Sequence, residues 1–149
     1  MREALGQTFL INIIIVFVVI FIILFAGSTS YTKAYKVKNR ILSIIEEERG
    51  YNNDAKKRID EFLSNTGYKV VQNGQAQDCK KHYETGTIKS KSTTYRYCVE
   101  EFTVNSGQEN EQKFYGVTTF MYFELPVISS LLEIPVYGES KHVNALGNQ

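Results

Sequence analysis

Leu10 to Phe25 reads LINIIIVFVVIFIILF, and how this run is read decides the fold. It lies within Phe9–Gly27, 19 positions with no charge and a single polar side chain, Asn12. At about 1.5 Å of rise per residue, these positions span roughly the 30 Å hydrocarbon core of a bilayer. Their β-branched richness lowers intrinsic helix propensity. Inside lipid that matters little, because every peptide group must be bonded internally and a helix does this. A cleaved signal peptide competes with a retained anchor, since Ala26-Gly27-Ser28 has the small-x-small character of a cleavage site. A signal's apolar stretch is shorter, about 7–15 residues, so the length favours the anchor.

Outward from this run, Tyr31 to Glu48 keeps helical spacing. Ala34, Val37, Ile41, Ile44 and Ile45 fall on one stripe, and lysines and Arg40 lie around the rest. No proline interrupts Thr8 to Glu48, and Gly50 stands where a terminating glycine belongs. The pattern predicts one helix of about 40 residues, half in lipid and half against a soluble domain. A break at Gly27-Ser28 into two helices is the alternative. Asn53 or Asp54 can cap a second helix over Ala55–Asn65, with Ala55, Ile59, Phe62 and Leu63 as its apolar face and Thr66-Gly67 as its end.

From Tyr68 the period changes. Short strands are expected at Tyr68–Val71, Cys79–Tyr83 and Thr93–Val104, with a flexible loop over Thr85–Ser92. A parity change at Glu100-Glu101 suggests a bulge or a twist. Lys113–Leu125 reads as the longest strand, and a last strand opens at Pro135 and runs to about Val143. Apolar residues on both faces of Lys113–Leu125 imply a strand covered twice, by helices on one side and a partner on the other. The predicted architecture is α+β: a long N-terminal anchor helix continuing into a soluble domain with a second short helix and a 4–5 stranded antiparallel sheet. In chain order this gives a short head (1–8), the transmembrane helix (9–27), a juxtamembrane helix (28–50), a small α+β domain (51–144) and a tail (145–149).

The chain of 149 residues carries 17 basic and 16 acidic residues, a net charge of +1, which argues against a nucleic-acid partner. Its ten tyrosines all lie outside the apolar run. No phosphate-cradling glycine loop and no nucleophile turn is present. Cys79, His82, Cys98 and His142 do not match the usual zinc spacings. Glu100 and Glu101 are adjacent on a strand and so point to opposite faces. No catalytic residue, metal ligand or cofactor is assigned, and an enzyme is not expected. Cys79 and Cys98 can meet across a hairpin as a disulfide, which needs an oxidising compartment; two unpaired thiols are the alternative. Orientation is contested, because Lys33, Lys36, Lys38 and Arg40 would place the domain in the cytoplasm by the positive-inside rule.

Val117 to Ser140, VTTFMYFELPVISSLLEIPVYGES, resembles the closing segment of TadE-like proteins, the minor-pilin-like components of Tad (tight adherence) pilus and secretion systems. The resemblance rests on an alternating strand, the apolar segment Ile128–Leu132, and a last strand carrying Pro135, Val136, Gly138, Glu139 and Ser140, followed by Lys141. The anchor running straight into a helix ahead of a small α+β domain is similar as well. Pilin-type precursors are cut after a glycine with Glu as the fifth residue beyond; here the glycine is Gly6 and the fifth residue is Ile11. The resemblance implies a single-pass protein of the bacterial cytoplasmic membrane with its domain outside. It implies partners among other pilin-like or Tad-system membrane proteins, as homo- or hetero-oligomers. Translocation of a long domain is largely indifferent to flanking charge. Candidate contact residues are Ile13, Val16, Ile20 and Ile23 for anchor packing, with Tyr115, Val117, Met121 and Phe123 as an interaction face. Lipid contact and ordinary core are the alternatives for the two groups. An extracytoplasmic tethered binding or adhesion module acting alone is the alternative function, and a cytoplasmic regulatory domain follows from the charge rule.

Overall fold

A computed structural model describes residues 2–68, 79–91, 94–104, 111–123 and 132–144. Helix α1 runs unbroken over Arg2–Glu47, 46 residues, or about 69 Å. It passes straight through Gly27-Ser28. Just beyond, the Thr29 and Thr32 hydroxyls donate back to the carbonyls of Phe25 and Ser28 at 3.1 and 2.9 Å. These back-bonds satisfy both side chains within the helix itself.

The end of α1 is a Schellman motif. Gly50 N–H donates to Ile45 O at 2.9 Å and Arg49 N–H to Glu46 O at 3.2 Å. Arg49, not the glycine, takes the left-handed position at φ 54°, and Gly50 follows at φ 148°. Helix α2 then spans Asn53–Thr66. Its N-cap is Asn52, one residue before the expected candidates, and the Asn52 side chain accepts from Ala55 N–H at 2.8 Å. Gly67, at φ 60°, closes α2 with a second Schellman motif. Arg58 of α2 ties back to Glu47 and Glu48 at the end of α1.

Among the described residues, five strands form one antiparallel sheet: β1 Thr87–Lys91, β2 Tyr97–Val104, β3 Gln112–Phe123, β4 Leu132–Glu139 and β5 Val143–Asn144. The order is β1-β2-β3-β4, and β5 pairs the start of β3 beyond the end of β4. Several expectations are corrected. Cys79–Tyr83 is irregular, whereas residues 87–91 of the expected loop form β1. Tyr68 is a buried helix-exit residue, and the rest of its expected strand lies outside the described residues. The β2–β3 register is continuous through Glu100 and Glu101; the irregularity sits in β1, between Ile88 and Ser90. The expected last strand divides at Ser140 into β4 and β5.

One face of the sheet packs on the helices. Val37, Ile41, Ile44 and Ile45 of α1 meet Ala55, Ile59 and Leu63 of α2 and Tyr97, Val99, Tyr115 and Val117 of the sheet. A smaller cluster of Ala34, Met121 and Val136 lies toward the apolar end of α1. Burying each large apolar side chain contributes about 1.5–3 kcal/mol, which makes this stripe the main support of the fold. The Thr119 hydroxyl, fully buried, donates to Ala34 O at 3.1 Å and fixes β3 against α1 at that level.

Candidate interaction surfaces

Three of the four strand residues expected to face a partner are in the chain's own core. Tyr115, Val117 and Met121 lie on the face that the helices cover and are 5%, 0% and 7% exposed. Alternation along β3 revealed two apolar faces but not which one the helices take. Phe123 closes the β3–β4 ladder opposite Leu132.

Part of the opposite face is covered by the chain itself. Cys98 points to that side of β2, and its disulfide to Cys79, with a Cα–Cα distance of 5.8 Å, lays residues 79–86 across the sheet as a strap. His82 stacks on the Tyr137 ring at 3.9 Å, and Tyr83 meets Phe102 edge-on at 5.8 Å. Phe102 stacks on Phe114 at 4.6 Å, and His142 lies beyond Phe114 at 5.3 Å. Gly86 presses on Phe102, where a Cβ would come within 2.6 Å of the ring. Phe102 therefore packs outward beneath the strap, and the parity change at Glu100-Glu101 needs no bulge.

Under the strap lies Glu100, 2% exposed. Its Oε1 accepts from the His82 backbone N–H at 2.7 Å, and its Oε2 has no hydrogen-bond partner among the described residues. Glu101 turns to the helix face, where it accepts from the Tyr115 hydroxyl at 3.1 Å and pairs with Lys89 at 3.1 Å. The Tyr137 hydroxyl sits over Gly116 and donates to Glu139 at 3.0 Å. Burial, together with the Glu139 and Glu100 carboxylates, raises its pKa well above the ordinary phenol range. Sequence reasoning missed this constellation, since only the outward parity of Cys98 shows that the disulfide ties down a strap. The cysteines are bonded to each other and so are not thiolate ligands. Among the described residues no group of three or more His, Cys, Asp or Glu is placed to hold a metal ion.

The motif residues of β4 join sheet to helix. Val136 is buried against Ala34 and Met121, and Gly138 leaves room for the Lys38 stem, which a Cβ would meet at 2.8 Å. The Lys38 ammonium lies 4.4 Å from the Tyr35 ring centroid. Ser140 brackets Tyr115: its N–H donates to Tyr115 O at 2.8 Å, and its hydroxyl accepts from Tyr115 N–H at 2.9 Å. Lys141 N–H donates to Glu46 of α1 at 2.8 Å.

Along α1, every residue from Phe9 to Ala26 is exposed among the described residues. Ile13, Val16, Ile20 and Ile23 form one stripe at 39–59% exposure, no different from the residues around them. A second stripe carries an open apolar groove lined by Phe17, Val18, Phe21, Ile22, Phe25 and Ala26. A helix apolar on every side and buried on none has the length and composition to cross a membrane.

No protein family, curated protein or solved structure matches this chain. The class that fold and surfaces define is a small α+β domain carried on a membrane-length N-terminal helix and closed by a disulfide.

Proposed function

We propose that this chain is a membrane-anchored, non-enzymatic, minor-pilin-like subunit of a Tad-type pilus or secretion apparatus, its domain outside the bacterial cytoplasmic membrane. The observation that carries the reading is α1 itself. One unbroken helix exposes apolar side chains all round its first half and supplies a wall of the domain core with its second. That layout holds a domain rigidly at a fixed height above an anchor, which suits a subunit packing helix against helix with others. The disulfide supports the outer side of the membrane, because such a bond persists in oxidising compartments. Among the described residues, most of the exposed large apolar side chains lie on the anchor helix, which offers them to partners.

The test has two stages. On intact cells, a membrane-impermeant maleimide is expected to label Cys79 and Cys98 only after reduction; free thiols reached only after lysis would reverse the topology and remove the proposal. Shearing is then expected to release the protein with surface filaments, or mild detergent to extract it in a large complex. A monodisperse monomer absent from sheared material would instead favour a tethered binding module acting alone.

A further inference from the structure

The levels of the elements along α1 place the domain relative to a bilayer. If residues 9–27 fill the hydrocarbon core, the headgroup layer of roughly 5–8 Å takes in about the next four or five residues, near 28–32. This segment is Ser-Thr-Ser-Tyr-Thr, uncharged, with the Thr29 and Thr32 hydroxyls bonded back to the helix. Tyr31 and Tyr35 stack with ring centroids 6.2 Å apart, both exposed, in the manner of interfacial aromatic anchors. The first charge beyond the span is Lys33, and its ammonium donates to Gly67 O at 3.2 Å, so α2 ends at this level.

Strand β3 runs toward the same end. Its Tyr115 lies by Gly50 at the far end of α1, and its Thr119 is bonded to Ala34. Four further residues, up to about 13 Å of strand, carry it to Phe123, past the level of Lys33 and into that of residues 25–32. Phe123 pairs with Leu132, so β4 begins there, and Ile134 beside it is exposed on the α1 side. The one acid described at this end, Glu133, is held by Arg96, whose guanidinium also lies over the Phe120 ring at 4.8 Å. The last described pair of this hairpin and the exposed Ile134 therefore stand at headgroup height, next to the anchor helix.

We propose that the Phe123–Leu132 end of the β3–β4 hairpin, with Ile134, is a second membrane contact: it sits in the lipid headgroup layer beside α1, and the domain rests on the bilayer at two points. The occupant of this surface is lipid, because the surface continues the one that α1 presents to the membrane. The inference rests on α1 being the anchor, and the experiment separates the two.

The chain contains no tryptophan, so a single introduced one is a unique reporter. Full-length Phe21→Trp, Ile134→Trp and His142→Trp would each be placed in phosphatidylcholine nanodiscs at one copy per disc. Lipids brominated at shallow or deep acyl positions then report depth. Phe21→Trp is expected to be quenched by deep bromines. Ile134→Trp is expected to be blue-shifted and quenched roughly twofold by shallow bromines, the depth at which interfacial aromatic residues sit. His142→Trp, at the far end of the sheet, is expected to be unquenched. Water-like, unquenched emission from Ile134→Trp beside a quenched Phe21→Trp overturns the second contact alone. Blue-shifted but unquenched emission overturns it too, since protein rather than lipid would then cover the residue. An unquenched Phe21→Trp removes the anchor and the inference with it. Leu132→Trp takes the place of Ile134→Trp if the latter does not fold.

Discussion

Two hydroxyl groups, those of Ser140 and Tyr68, satisfy backbone groups toward opposite ends of β3. The Ser140 hydroxyl accepts the Tyr115 N–H in a buried setting, so Ser140→Ala leaves a buried amide without its acceptor. Such an orphan costs about 1–3 kcal/mol, and urea unfolding of the protein in detergent is expected to show a loss of that size. Tyr68 acts at the other end of β3, where β2 has left the ladder. Its hydroxyl accepts from Phe120 N–H at 3.0 Å and lies 3.1 Å from Arg96 O, to which it donates. Burial pushes the Tyr68 pKa up to about 12 from an ordinary value of 10.0. A raised pKa means that the folded state favours the protonated phenol. The contribution is therefore whole below pH 10 and is lost as pH rises toward 12, in total about 2–3 kcal/mol. Wild-type protein should lose stability across that window more steeply than Tyr68→Phe, which carries no proton to lose; parallel pH profiles would refute this. In the sequence Tyr68 looked like the start of a strand, because nothing local marks a tyrosine that bonds two distant backbones.

At the scale of elements, the helices were legible and the sheet only partly so. The five apolar positions expected on the inner face of α1 are all buried, since a 3.6-residue period is written locally and one continuous core reads it. Strand β1, TIKSK, has one apolar residue, and its conformation comes from pairing with β2 rather than from its own pattern. The strap was illegible for the same reason: two cysteines state a bond, but only the parity of Cys98 states which face the bond covers. Both sheet edges are guarded. Lys89 and the register shift disrupt the β1 edge, and Pro135 removes a donor from β4, so strand addition is disfavoured. One helix end carries a cost that substitution can remove. Arg49 occupies a left-handed position at φ 54°, whereas Gly67 fills the equivalent position of α2. Arg49→Gly relieves a strain of about 1–2 kcal/mol, offset in part by the greater freedom of an unfolded glycine. A net gain of roughly 0.5–1 kcal/mol in thermal or urea unfolding is expected. An unchanged or lower stability would show that the Arg49 side chain makes a compensating contact.

For the whole molecule, the disulfide decides which surfaces are open. Without it, the strap keeps the His82–Tyr137 stack, the Tyr83 contacts with Phe102 and Tyr137, and the hydrogen bond from His82 N–H to Glu100. Freeing the strap would uncover Phe102 and Glu100, which are buried beneath it, while the helix-facing core would keep its contacts. The bond joins residues 19 apart, and closing a loop of that size contributes about 3 kcal/mol by the chain-entropy argument. Cys79→Ser with Cys98→Ser is therefore expected to lower unfolding stability by about that amount without changing helix content, since α1 and α2 do not depend on the bond. The local effect should be larger than the global one. Lys80 and Lys81 lie on the strap, exposed but held in place by the cysteine next to them. Proteolysis in the native state tracks the population of locally opened chain, so trypsin should cut after these lysines at least about tenfold faster once the bond is reduced. Cleavage elsewhere in the domain should change far less. Equal rates at Lys80 and Lys81 before and after reduction would mean that the aromatic contacts alone hold the strap, and the sheet's outer face would then stay closed on either side of the membrane.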